Sequence, residues 1–211
     1  MTVEQSTTLR APKSPKAIVR FAIIVVLALA GDLLLKSYAF EHVAGTPIER
    51  ERLQEFAEHA IPPHDPVTVV PGVLSLQLTV NHGAVFGIGQ GGRWLFVVIA
   101  VIACAIIARV FWVSRAKDWP LHAALALITG GALGNLYDRF FFGMVRDMLL
   151  LLPETHLPFG WEWPGGSTLA YPWIFNLADA ALCVGIGVII VMMLFGRRQG
   201  AKASRHQGKT E

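Results

Sequence analysis

Charged residues are scarce here, 16% of 211, and cysteine is nearly absent, with only Cys104 and Cys183. Each cysteine sits inside an apolar block and reads as a small hydrophobe, so neither a disulfide framework nor metal-ligand spacing is implied. No internal repeat or low-complexity tract is visible, which excludes a solenoid. The net charge of +3 is too small to suggest a nucleic-acid surface, and its distribution along the chain has a simpler cause.

Hydrophobic residues are abundant, at 54%, and they gather in long blocks rather than in the short periodic stripes of a soluble domain. A hydrocarbon core of roughly 30 Å takes about 20 helical residues to cross. Residues 17–40, 94–113, 120–137 and 175–195 meet or approach that length. Lys and Arg sort by side: Arg10, Lys13, Lys16 and Arg20, then Arg109, Arg115 and Lys117, then Arg197, Arg198, Lys202, Arg205 and Lys209 make twelve of the eighteen. By the positive-inside rule both termini and the link between the second and third spans are cytoplasmic, so 41–92 and 138–174 face outward.

The expected layout is a disordered cytoplasmic terminus (1–16), one membrane-embedded unit (17–196) and a basic cytoplasmic tail (197–211). A rival reading takes the basic start, the apolar run 21–27 and Ala28-Leu29-Ala30 as a cleaved secretory leader. The apolar run resumes directly after Asp32, which favours a first span. The mature N-terminal mass separates the two.

The outward segments carry their own patterns. Thr46 and Pro47 read as an N-cap and first helical residue, opening a short amphipathic helix through Ala60 with Ile48, Phe56 and Ala60 on one face. Residues 74–80 alternate strictly, the period of a half-buried strand, and 67–70 can pair with them across Pro71-Gly72. Trp161, Trp163, Tyr171 and Trp173 suit the headgroup region. The expected fold class is therefore an all-α integral membrane protein with four transmembrane helices, a small outer β-sheet and a short amphipathic helix.

Polar groups near the spans need a partner or a job, since a charge at bilayer depth costs about 3 kcal/mol on insertion scales. Asp32 and Lys36 lie four apart on one face and can pair, with Lys36 snorkelling to water. Gly130 and Gly134 give a flat face for close helix packing. Asn135 and Arg139 share a face, and Asp138 can be neutralised by Arg139. Asp147 follows at the outward end, beyond Gly143. Asn176, three before Asp179, reads equally well as a cap with an acid in the first turn. Asp147 and Asp179 nevertheless fall at the outer ends of spans that can be neighbours. Two close carboxylates share a proton, which lets one draw water onto an amide while the other protonates its oxygen. The stretch NHGAVFG adds Asn81 as donor and acceptor, and glycines, Gly83 among them, that admit a substrate backbone closely. Taken alone, that stretch is a turn.

The blocks GDLLLKSYA (31–39), NHGAVFG (81–87), GGALGNLYDRFFFGMVRDM (130–148) and FNLADAALCVG (175–185) together resemble the lipoprotein signal peptidase family, also called signal peptidase II, intramembrane aspartic proteases of bacteria. The resemblance implies Asp147 and Asp179 as the catalytic pair. It implies Asp32, Lys36, Asn81, Gly83, Gly131, Asn135, Arg139 and Asn176 as lining or support, Asp138 as structural, and no metal or cofactor. It further implies a periplasmic sheet and helix, a site near the outer leaflet of the inner membrane, and a monomer that contacts lipid. Its partner would be a prolipoprotein cut just before its diacylglyceryl-modified cysteine. Leu33-Leu34, Arg146 and Met148 depart from the family's habit at the periphery, and segments 41–73 and 149–174 are longer than usual. Two rivals remain: a small proton-coupled transporter using Asp32, Asp147 and Asp179 as a relay, and an assembly subunit whose polar residues only glue helices together. The relay is disfavoured, because these acids sit toward one end and not through the depth of the membrane.

Overall fold

The computed structural model describes residues 9–82 and 93–207. Four long helices dominate: α1 (Pro15–His42), α3 (Arg93–Val113), α4 (Trp119–Phe141) and α5 (Leu177–Gln207), with a short α2 (Arg50–Phe56) between the first two. α1, α3 and α5 are long and apolar enough, by length and composition, to cross a membrane. α4 falls short of that measure, since its glycines and the polar His122, Asn135, Asp138 and Arg139 dilute its hydropathy. Instead it lies in the middle and packs against the other three. Much of its surface is buried by protein, including Leu125, Gly130, Gly131, Gly134, Asn135 and Asp138.

Glycine makes that central position possible. A Cβ added at Gly130 would stand 2.6 Å from the Ala28 Cβ, and one at Gly134 would stand 2.5 Å from an Asp32 oxygen. At Gly131 it would collide with the Ala178 carbonyl oxygen. Backbones can thus approach in the manner of small-residue helix contacts.

At the other end of the bundle the link before α4 meets the N-terminal segment. Arg10 bridges Arg115, the Ala11 amide donates to the Ser114 carbonyl at 3.0 Å, and the Ala116 amide donates to the Leu9 carbonyl at 2.7 Å. Residues 9–16 thus include a short backbone pairing with that link and the start of α1. Backbone pairing with the link supplies partners the sequence alone did not reveal. Two basic segments assigned to one side from their charge do share one end of the fold. α5 runs on as helix to Gln207, through most of the expected tail.

The sheet is larger than anticipated. β1 (Val67–Val70), β2 (Leu74–Asn81), β3 (Val145–Leu151) and β4 (Ile174–Phe175) form one antiparallel sheet in that order. The alternation in β2 appears as expected, with Leu76, Leu78 and Val80 buried in a cluster with Phe40, Leu53, Met144 and Met148. That cluster seats the sheet and α2 on the end of α1. α2 itself begins later than Thr46-Pro47 implied: Glu49, extended and without a side-chain cap bond, is its N-cap, and the preceding Ile48 amide donates to the Phe40 carbonyl at 3.0 Å. Leu53, not Phe56, is its inward anchor, at 1% against 48% exposure. Gln54 ties the helix down by donating to the Phe141 carbonyl at 2.7 Å.

Candidate functional site

The site is assembled where β3, the start of α5 and the C-terminal ends of α1 and α4 meet. The sequence placed Asp147 on the exit of a span. In the structure the helix stops at Phe141, Gly143 turns the chain with φ +85°, and Asp147 stands on a strand. The difference matters, because neighbouring strand residues point to opposite faces. Arg146 and Asp147 are separated by that rule, and each serves a different polar cluster.

The first cluster is fully ionic. Lys36 Nζ lies 2.7 Å from Asp32 and 3.2 Å from Asp138. Arg146 grips Asp138 through Nε and a terminal nitrogen at 3.2 and 2.8 Å, and its backbone amide donates to the other Asp138 oxygen at 2.9 Å. Its guanidinium lies over the Phe142 ring at 3.9 Å. Two acids and two bases balance, as desolvated charges require. Three expectations are corrected here. Lys36 is wholly buried and does not snorkel. Asp138 is neutralised by Lys36 and Arg146, not by its sequence neighbour Arg139. Arg146, read as a peripheral departure, is 5% exposed and central to this cluster. Asp32 also spans to α5, accepting from the Ala178 amide at 2.9 Å.

The second cluster is built of amides and acids. Asn176 Nδ2 donates to Asp147 Oδ1 at 2.6 Å and to Asn135 Oδ1 at 3.0 Å. Asn135 Nδ2 donates to Asp179 Oδ1 at 2.8 Å, so the two carboxylates are joined through a chain of two asparagines. Asn176 also caps α5, its Oδ1 accepting from the Asp179 amide at 2.9 Å while its own amide donates to Asp179 Oδ2 at 3.3 Å. The cap and the site are one device, so the two readings of that pair were not exclusive. Lys36 Nζ donates to Asn135 Oδ1 at 3.2 Å, linking the clusters. The Asn81 side chain hydrogen-bonds Asp147 from β2.

Asp147 is 2% exposed, whereas Asp179 is half-buried. Burial, and then the negative charge of Asp179, push the Asp147 carboxyl up to about 7, against the pull of Asn176, Lys36 and Asn81. A carboxyl at that value exchanges its proton near neutral pH. Arg139 lies within electrostatic reach of Asp179, Asp147 and Asp138, and its guanidinium rests over the Phe96 ring at 4.9 Å.

The structure therefore brings Asp147, Asp179, Asn135, Asn176, Asn81 and Lys36 together, with Arg139 beside them. Asp32 and Asp138 fall in the ionic cluster behind. Gly131 is a helix contact against Ala178 and Leu182. Gly83 lies outside the described residues. Among the described residues no cluster of His, Cys, Asp and Glu could hold a metal ion. Tyr171 was not singled out for the site. Its phenol is raised by burial, then by Cys183 and Asp179, which places it on the border of the site.

Comparison with known proteins agrees with this reading at the level of family. The family model for signal peptidase (SPase) II matches residues 24–195. A lipoprotein signal peptidase of Desulfitobacterium hafniense is 38% identical over 137 residues, 64% of this chain and 79% of its own. That of Syntrophomonas wolfei is 39% identical over 143 residues, 67% and 83% of the two chains. A solved structure described as a bacterial membrane enzyme superposes with a TM-score of 0.59 at 26% identity, covering 84% of this chain and 88% of that one. None of these comparisons supports the transporter. With most of its length matched in sequence and in fold, this chain belongs to the signal peptidase II family of lipoprotein-processing membrane proteases.

Proposed function

We propose that the chain is an aspartic endopeptidase in which Asp147 and Asp179 activate water against the peptide bond preceding a diacylglyceryl-modified cysteine, releasing the signal peptide of a prolipoprotein. The observation that carries this reading is the Asp147–Asn176–Asn135–Asp179 chain, with its Asp147 carboxyl raised to about 7. Two carboxylates linked in this way do not titrate independently. Asp179, the more exposed, draws a proton from the attacking water. Asp147, protonated, donates to the scissile carbonyl oxygen and so stabilises the tetrahedral intermediate. As the C–N bond breaks, Asp179 passes the proton it took from water to the leaving amine and Asp147 recovers its own from the gem-diol hydroxyl, so no covalent intermediate forms. Asn135, Asn176 and Asn81 hold both carboxylates in place, while Lys36 and Arg139 limit the negative charge that gathers there.

The proposal extends to placement. α4 completes a fourth crossing inside the bundle, both termini are cytoplasmic, and the sheet and α2 stand on the periplasmic side of the inner membrane. A lipid-anchored substrate reaches such a site from the outer leaflet, its acyl chains against the helices and its backbone toward the dyad. The enzyme works as a monomer and without a cofactor.

The test uses purified protein and a diacylglyceryl-modified precursor peptide. Cleavage is expected to vanish in Asp147→Asn and in Asp179→Asn while each variant keeps its helical content and melting behaviour. Retained cleavage in either one removes that residue from the dyad.

A further inference from the structure

Far from the acids, at the basic end of the bundle, α1 and α4 enclose a cavity of about 190 Å³ lined by Arg20, Phe21, Ile23, Ile24, Trp119, His122 and Ala123. His122 is 2% exposed. Its Nε2 lies 2.8 Å from Ser114 Oγ, and that hydroxyl spends its one hydrogen on the Phe111 carbonyl at 2.7 Å. Ser114 must then accept from Nε2–H, which leaves Nδ1 as the bare, accepting nitrogen. This nitrogen is buried and has no hydrogen-bond partner among the described residues. The Phe111 ring, 4.9 Å away and edge-on, holds the imidazole in that orientation. A buried nitrogen acceptor of this kind is able to take a hydrogen bond from a hydroxyl.

The surroundings say which hydroxyl. Arg20 is exposed at the mouth, with only its Nε given to the Lys16 carbonyl at 3.3 Å. Lys16 is exposed one turn away, and Arg115 and Lys117 lie in the link that leads into α4. The first turn of α4 presents its amide dipoles at the same place, which favours an anion. Asp118 is the opposing charge: it accepts from the Arg115 amide at 3.0 Å and, like Arg20, acts electrostatically on His122. Below the mouth Ile23 is 52% exposed and Trp119 59%, an apolar wall with an interfacial aromatic at its rim. A ligand that fits carries a phosphodiester, a hydroxyl beyond it and hydrocarbon behind it.

We propose that this cavity binds an anionic glycerophospholipid with a polyol headgroup, of the phosphatidylglycerol type. Its phosphate meets Arg20, a headgroup hydroxyl donates to His122 Nδ1, and its acyl chains run down the face of α1. The site is independent of the dyad, so its failure would leave the protease reading intact, and failure of that reading would leave this site intact.

The test is native mass spectrometry of the full-length protein in dodecyl maltoside micelles. Its probes are phosphatidylglycerol and phosphatidylmethanol, which share charge and chains and differ in the headgroup hydroxyls. Retention of phosphatidylglycerol is expected to exceed that of phosphatidylmethanol by about fivefold, the worth of one buried hydrogen bond. His122→Leu should abolish the preference, and Arg20→Gln should weaken both lipids alike. Equal retention of the two lipids by the wild type, or a preference that survives in His122→Leu, overturns the proposal. So does competition by soluble glycerophosphoglycerol at the same concentration as the lipid, which would make the ligand a free phosphodiester. Should His122→Leu fail to fold, Arg20→Gln still decides: unchanged retention of both lipids contradicts the site.

Discussion

Two polar clusters sit back to back in this fold, and they solve the same problem in opposite ways. Asp32, Lys36, Asp138 and Arg146 meet charge with charge at 2.7–3.2 Å. Asp147 and Asp179 are held instead by the neutral amides of Asn135, Asn176 and Asn81. In the first cluster each acid is answered directly by a cation, so its negative charge is balanced where it stands. An acid bonded to amides and facing a second acid is left with its charge only partly answered, and its proton affinity rises. The first arrangement makes a scaffold and the second a proton carrier. Arg146 and Asp147, adjacent on one strand, belong to different clusters because a strand alternates its faces.

Deleting either dyad acid breaks the comparison most sharply. Asp147→Asn or Asp179→Asn should lower precursor cleavage by about a thousandfold or more, with the fold intact by circular dichroism. Breaking the ionic cluster should do the reverse. Arg146→Met leaves Asp138 buried with Lys36 shared between two acids, and should cost about 3–5 kcal/mol of stability in denaturant unfolding. The double variant Arg146→Met with Asp138→Asn should recover part of that loss. Cleavage per folded molecule is expected to change far less than in the dyad variants. If Arg146→Met inactivates a fully folded protein, the division between scaffold and carrier is wrong.

Next in size come the connecting amides. Asn176→Ala and Asn135→Ala should each slow cleavage by about 10- to 100-fold through misplacement of the acids, measured as kcat with KM little changed. Asn176→Ala carries an added cost of about 1 kcal/mol, because the same side chain caps α5.

The comparison also extends to pH dependence. A carboxyl whose folded value is raised to about 7 from an ordinary value near 4 binds more protons folded than unfolded. It contributes stability that is fully present below pH 4 and is lost as pH rises through 7. Wild-type stability should therefore decline relative to Asp147→Asn between those limits, so that the inactive variant gains steadily on it as pH rises. Thermal melts across that range check the sign.

The sequence made some of this legible and hid the rest for physical reasons. Four apolar blocks located the long helices, because runs of that length exceed what a strand uses. Strict alternation located β2, because only one of its faces is covered. β3 was not visible. VRDMLLL is buried on both faces, so no alternation of apolar and polar residues marks it as a strand. Gly143, with its positive φ, was the one local sign that the helix had ended. The pairing of Asp138 with Arg146 was obscured by Arg139, which is nearer in sequence but on another face. Asp147, Asp179, Asn135 and Asn176 stood out as polar groups beside apolar spans, and the resemblance to a family gave them roles. Their joining through two amides depends on side-chain directions that no spacing rule supplies.

The central claim is that Asp147 holds a proton at neutral pH because it is buried beside Asp179. Infrared difference spectroscopy of substrate-free protein measures this directly, through the carbonyl stretch of a protonated carboxylic acid, assigned by its loss in Asp147→Asn. The account predicts that the band persists to neutral pH, titrates with a midpoint near 7, and moves to lower pH in Asp179→Asn, where one raising charge is gone. A band already lost by pH 5 in the wild type, or one indifferent to Asp179→Asn, would contradict it.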